Sequence, residues 1–230
     1  MLDWTTFSNP YLWLGAQASA QGVVPSSAGL IHPDQTKRFG LKGLRLQNAS
    51  GSTAAVALVG LLPDSMWTAG QWDNSETTYT ADTTDAQDAG ANDFALFDKD
   101  NVDDGHIISA DVPFGAVSYN VGTASIGAAQ EHVLEYWNGT SWGSIALATV
   151  LKAFPYTAGD VWPTGETLLL FVPPADWAVG GSGTGVPATK YNLRVRESVA
   201  STTSGLATRI FVGKLLWWEA AVVTKGKSDL

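Results

Sequence analysis

The run Tyr191-Asn192-Leu193-Arg194-Val195-Arg196 alternates apolar and polar residues without a break. A period of two puts Tyr191, Leu193 and Val195 on one face and Asn192, Arg194 and Arg196 on the other, the pattern of a half-buried strand. Short runs of the same strand chemistry recur between Gly, Pro, Asn and Asp: Glu76-Thr80, Phe94-Phe97, His106-Ala110, Ala116-Val121, Val133-Trp137, Trp142-Leu147, Thr167-Val172 and Arg209-Val223. With the alternating Leu41, Leu44, Leu46 and Ala54 to Leu62, read as a hairpin closed around Asn48-Ala49-Ser50-Gly51, they make roughly ten or eleven strands. Thr167 to Val172 is apolar almost throughout, which predicts a central strand. No amphipathic helix of useful length is present, and residues 145–153 offer at most one short helical turn.

This spacing predicts an all-β chain built as an antiparallel β-sandwich, jelly-roll-like. The 230 residues suffice for one large β domain or two small ones, and one is the better prior. Residues 1–36 hold Trp4, Phe7, Tyr11 and Trp13 without sustained period. They read as an extended N-terminal arm, with residues 37–230 as a single sandwich domain. A free arm would expose its aromatic rings to water, so Trp4, Phe7, Tyr11 and Trp13 are expected to pack on their own body or on a neighbouring copy.

The formal net charge of -9 argues against binding a phosphate backbone, which draws on clustered Lys and Arg. From Asp64 to Asp111 carboxylates dominate and Lys99 is the single Lys or Arg, while most other basic residues lie in Lys37 to Arg45 and Lys190 to Lys227. A solvated acidic face is the favoured reading; head-to-tail contact between copies is the other. The absence of cysteine rules out disulfides and thiolate metal sites. The start lacks a basic stretch before its apolar residues, and no run of about 18 apolar residues offers a membrane span, so synthesis in the cytoplasm is expected.

Candidate chemistry is sparse. His32, His106 and His132 stand beside no nucleophile-elbow serine, and scattered carboxylates give no positive sign of a glycosidase pair. Asp98-Lys99-Asp100-Asn101-Val102-Asp103-Asp104-Gly105 has the oxygen content of a hard-cation loop but fails the EF-hand spacing. It reads first as an acidic surface turn, and second as a calcium site from Asp98, Asp100, Asp103 and Asp104. Asp82, Asp85 and Asp88 carry a weaker signal. Gly180 to Gly185 lacks the Lys-Ser/Thr ending of a phosphate loop and reads as a mobile surface loop. The sequons at Asn48 and Asn138 are accidental without export. Asn138-Gly139 fits a type I′ turn closing a hairpin between Val133-Trp137 and Thr140-Ile145, with Trp137 and Trp142 pairing across the strands. The apolar run Ile210 to Val223 needs cover on both faces, in the sandwich or from another chain.

Four segments follow one another in a telling order: Pro113-Phe114-Gly115-Ala116-Val117-Ser118-Tyr119; Leu134-Glu135-Tyr136-Trp137-Asn138-Gly139 with Ser141-Trp142; Phe171-Val172-Pro173-Pro174-Ala175-Asp176-Trp177; and Tyr191 to Arg196. Together they resemble a module of structural proteins of tailed bacteriophages, over about residues 104–200. The resemblance implies a virion component with a jelly-roll-like sandwich, made in the host cytoplasm, with no catalytic residues to carry over. The chain has neither the repeats nor the coiled-coil stalk of a tail fibre. A capsid decoration or cement protein is therefore the leading expectation, bound to the major capsid protein or other virion proteins and self-associating on the virion. A tail or baseplate accessory comes second. The competing class is a carbohydrate-binding module using Trp67, Trp72, Trp137, Trp142, Trp162 or Trp177. No nucleic acid, membrane or obligatory cofactor is expected.

Overall fold

The structure, a computed structural model, describes residues 12–18, 45–47, 54–90, 92–97, 101–126, 131–145, 150–152, 162, 164–222 and 227–229. Its first strands are β1 Leu12–Ala18, β2 Arg45–Gln47, β3 Ala54–Leu61, β4 Trp67–Asp73, β5 Thr78–Ala81, β6 Phe94–Ala95, β7 Gly105–Ala110 and β8 Ala116–Thr123. They are followed by β9 Glu131–Trp137, β10 Trp142–Ser144, β11 Val150–Lys152, β12 Gly165–Phe171, β13 Tyr191–Val199, β14 Leu206–Val222 and β15 Lys227–Asp229. One short helix, α1 Thr83–Gln87, and a 3-10 turn at Asp64–Met66 complete the described elements. The chain is all-β, and every named strand pairing is antiparallel.

The chain groups into two compact units, Met1–Pro63 with Gly213–Leu230, and Asp64–Val212. In the first, β3 runs between β1 and the second part of β14, with Leu12 opposite Gly60 and Gly213 opposite Leu61. β2 pairs with β15. This corrects the expected hairpin of residues 41–46 with 54–62: the described partners of β3 are β1 and β14. Trp13, in the segment read as an arm, lies in β1 opposite Val59. Trp4, Phe7 and Tyr11 lie outside the described residues, as does the turn at 48–51.

The second unit is sandwich-like. One sheet runs in the order β14-β8-β12-β11, with β6 on β14, and the other in the order β10-β9-β13-β7-β4-β5. β8 shows why the sheets face each other: Val117, Tyr119 and Val121 are buried while Asn120 is exposed, so its period-two pattern supplies one apolar face. Across the gap Tyr119 meets the His106 ring edge-on at 5.5 Å and Phe97 meets His132 at 5.2 Å. β12 takes the central place expected of its apolar run, between β8 and β11. The short helical turn read over 145–153 is corrected, because Val150–Lys152 pairs as β11 with β12.

β13 departs from its sequence reading more sharply. It lies between β9 and β7, and Asn192 and Arg194 on its polar face are buried along with Leu193 and Val195. The half-buried strand is therefore corrected to one covered on both faces, and what covers the polar face defines the region of greatest chemical interest.

Candidate functional site

The outer face of the second sheet is built by register. Arg194 stands opposite Glu135 of β9 and Ile107 of β7, and Arg196 stands opposite Gly105, where a Cβ would meet the β13 backbone at the Val195 carbonyl oxygen. The Arg194 guanidinium sits between two indoles, 5.0 Å from the Trp72 ring and 4.5 Å from the Trp142 ring. A planar cation stacks well there because the ring faces carry negative charge density and leave its edge for hydrogen bonding. That edge is used: Arg194 Nη2 and Nε reach Glu135 Oε2 at 2.6 and 2.8 Å. Arg196 donates to the same oxygen from Nε at 3.0 Å and to Oε1 from Nη2 at 3.1 Å, and its Nη1 pairs with Asp103. Burial alone would raise the Glu135 carboxyl, but Arg196 and Arg194 outweigh it and hold it below its ordinary value.

A flap of residues 177–190 covers this face. Trp177 packs 5.0 Å from Phe114 and donates from Nε1 to the Asn192 carbonyl. Ala178 N–H then bonds the Trp137 carbonyl. Asn192 Nδ2 ties the flap down at the Gly180 and Pro187 carbonyls, 2.8 and 2.9 Å away. At its far end Tyr79 N–H donates to Thr184 O at 2.8 Å, and Thr184 N–H donates to Thr77 O at 2.9 Å, so the flap pairs with the β5 edge. Val186 joins Trp72, Tyr79 and Ile107 in one buried cluster with Trp142 against it. Two glycines permit the approach: a Cβ on Gly183 would lie 2.6 Å from the Trp72 ring, and one on Gly185 would lie 2.6 Å from the Tyr79 carbonyl oxygen. The glycine-rich stretch is a surface loop between two strands, as its sequence reads, with Ser182 to Gly185 exposed and its glycines set close against Trp72 and Tyr79.

The turn at Asn138-Gly139 also differs from its sequence reading. Trp137 pairs directly with Trp142, leaving a four-residue loop, Asn138 to Ser141. Gly139 has φ +95°, whereas Asn138 is not among the positive-φ residues, so the type I′ assignment fails. The Asn138 side chain shapes the loop instead. Its Oδ1 accepts from Thr140 N–H at 2.9 Å and Ser141 N–H at 2.8 Å, and this local bonding replaces the second left-handed residue. Trp137 and Trp142 meet edge to face, 5.7 Å apart.

Of the four carboxylates considered for calcium, Asp98 and Asp100 lie outside the described residues. Asp103 is engaged by Arg196, and buried Asp104 accepts from Asn74 N–H at 2.7 Å. Among the described residues no group of three His, Asp or Glu side chains is placed to hold a metal. The described histidines are sealed in the core. His106 bonds the Leu96 carbonyl through Nδ1 and the Tyr119 hydroxyl through Nε2, and burial pushes its pKa down to about 4. His132 Nε2 accepts from Trp162 Nε1 at 3.1 Å, with Glu197 3.6 Å away. His32 lies outside the described residues.

The six tryptophans proposed as sugar platforms are also covered to differing degrees. Trp67, Trp72, Trp162 and Trp177 are buried, Trp142 lies between Arg194 and Gly181, and Trp137 is half-buried against Trp142. The tryptophan-arginine stack was missed from sequence. Its signal was present in two arginines sharing one face of a strand whose partner strand carries Glu135, next to the tryptophan-rich turn.

Comparison with protein-family models, with curated proteins and with solved structures finds no match. Among the described residues no helix is long and apolar enough to cross a membrane.

Proposed function

We propose that the chain is a non-enzymatic structural protein of a tailed-bacteriophage virion, a decoration or cement protein that binds and stabilises the capsid shell. The observation that carries this reading is how the four segments of the phage-like module meet. Phe114 packs on Trp177, Tyr136 Oη donates to Asp176, Trp137 holds Ala178, and Glu135 and Trp142 enclose Arg194. The residues that carry the resemblance are thus spent on one another, as befits a scaffold whose outward contacts lie elsewhere.

Strand pairing supports the jelly-roll part of the reading. β7 pairs with β13 and, nested inside it, β8 pairs with β12 and β9 with β10. Consecutive strands from β7 to β9 alternate between sheets, and β13 inserts between β7 and β9. That is the pattern of a long hairpin rolled upon itself. Trp4, Phe7 and Tyr11, which precede β1 in sequence, supply an arm that clamps neighbouring subunits or copies, adding buried area across joints of the shell. Partners are the major capsid protein and further copies of this chain, and the protein travels from the host cytoplasm into the virion.

Imaging purified virions tests the proposal. Density for this chain over the capsid lattice, and particles that burst more readily under heat when it is omitted, are the expected results. Density confined to the tail refutes the capsid reading and leaves the tail-accessory one.

A further inference from the structure

We infer that Asn138 is a self-modifying site, at which the folded turn drives loss of the side-chain amide through a cyclic imide with Gly139. Three features of the loop converge on that step. Oδ1 receives two backbone N–H groups, from Thr140 at 2.9 Å and Ser141 at 2.8 Å, which withdraw electron density from Cγ and stand ready for negative charge on that oxygen. In a turn bonded in this way the carboxamide folds back over the peptide group that follows it, on the side of the next backbone nitrogen. That nitrogen belongs to Gly139, which carries no side chain and whose N–H has no hydrogen-bond partner among the described residues. Thr140 and Ser141 are exposed, so water reaches the loop.

The chemistry needs only water. Gly139 N bonds to Asn138 Cγ and gives up its proton, while the Cγ–Nδ2 bond breaks and Nδ2 leaves as ammonia. The resulting five-membered imide takes up one water at either carbonyl, giving aspartate or isoaspartate at position 138 with no change of oxidation state. Either product adds a negative charge. The iso form also adds a backbone methylene inside the loop that sets Trp137 against Trp142, and so perturbs the ring that caps Arg194.

The decisive comparison is between the folded full-length chain and a synthetic peptide of residues Glu135 to Ile145, incubated side by side at mildly alkaline pH. Peptide mapping by mass spectrometry follows replacement of the amide by a carboxyl, fragmentation separates the two products, and ammonia release counts the events. The folded chain is expected to convert at Asn138 at least as fast as the peptide, ahead of Asn74 and Asn120, whose following residues carry side chains. The Asn138→Asp variant, which keeps the Oδ1 acceptor, is expected to release no ammonia from this loop. A folded chain that converts more slowly than the peptide, or that reacts first at another asparagine, overturns the inference, because the turn then shields the amide.

Discussion

Replacing Glu135 by Gln tests whether the outer face of the second sheet is held by a desolvated charge network or merely decorated by one. Glu135 is 6% exposed and Arg194 is 9% exposed. Glu135 takes four contacts from two guanidinium groups, between 2.6 and 3.1 Å. Gln preserves the volume and removes the charge. Arg196 keeps Asp103, but Arg194 is left under the flap with two tryptophan rings and no contacting carboxylate. Breaking a buried pair costs about 3–5 kcal/mol, and because Arg196 reaches the rim we place this variant near the lower end, about 3 kcal/mol. In urea that corresponds to a midpoint lowered by about 1–2 M. A second variant carrying Glu135→Leu and Arg194→Met removes both charges and keeps bulk, and should recover most of the loss. Equilibrium unfolding followed by tryptophan fluorescence reads both. A single-variant cost below about 1 kcal/mol, the scale of an exposed pair, refutes the reasoning. So does a double variant as unstable as the single one, since shape rather than charge would then be responsible.

Other perturbations probe the same framework. His106 binds its proton less readily folded than unfolded, so the unfolded chain gains the proton first. Stability should fall as pH drops from 6.5 to about 4 and level off below. The full effect is about 3 kcal/mol, and His106→Gln should flatten that part of a stability-versus-pH curve. Gly185→Ala forces a Cβ to within 2.6 Å of the Tyr79 carbonyl at φ +82°, and should cost about 2–3 kcal/mol. The amides of Tyr79 and Thr184 should then exchange hydrogen faster, and unchanged exchange would show that the flap is not anchored there. Thr77 is a β-branched residue at φ 52°, closing the turn between β4 and β5. Thr77→Gly should therefore raise stability by about 0.5 kcal/mol, the relief of left-handed strain less the backbone entropy of glycine.

How much was legible in the sequence depended on whether a signal was local. Strand chemistry located β7, β8, β9, β12 and β13 to within a few residues, because alternation and apolar runs are properties of the strand itself. β4 escaped since Gly70 and Gln71 interrupt Trp67–Asp73, yet Gly70 is there for its neighbour: a Cβ would lie 2.6 Å from the Tyr79 ring. The same limit explains the turn, because Asn-Gly permits a type I′ geometry, whereas the partners of Asn138 Oδ1 decide whether it is used. It explains the misread polar face of β13 most fully. Alternation says that Asn192, Arg194 and Arg196 share a face, and water is the default neighbour for such a face. Here the neighbours are Glu135 from another strand, two tryptophans and a flap joined to β5, none of them close to β13 in sequence except the flap. A strand with paired arginines in a tryptophan-rich β chain therefore has two readings, solvated or stacked. A carboxylate at the matching register position of an adjoining strand is the feature that separates them.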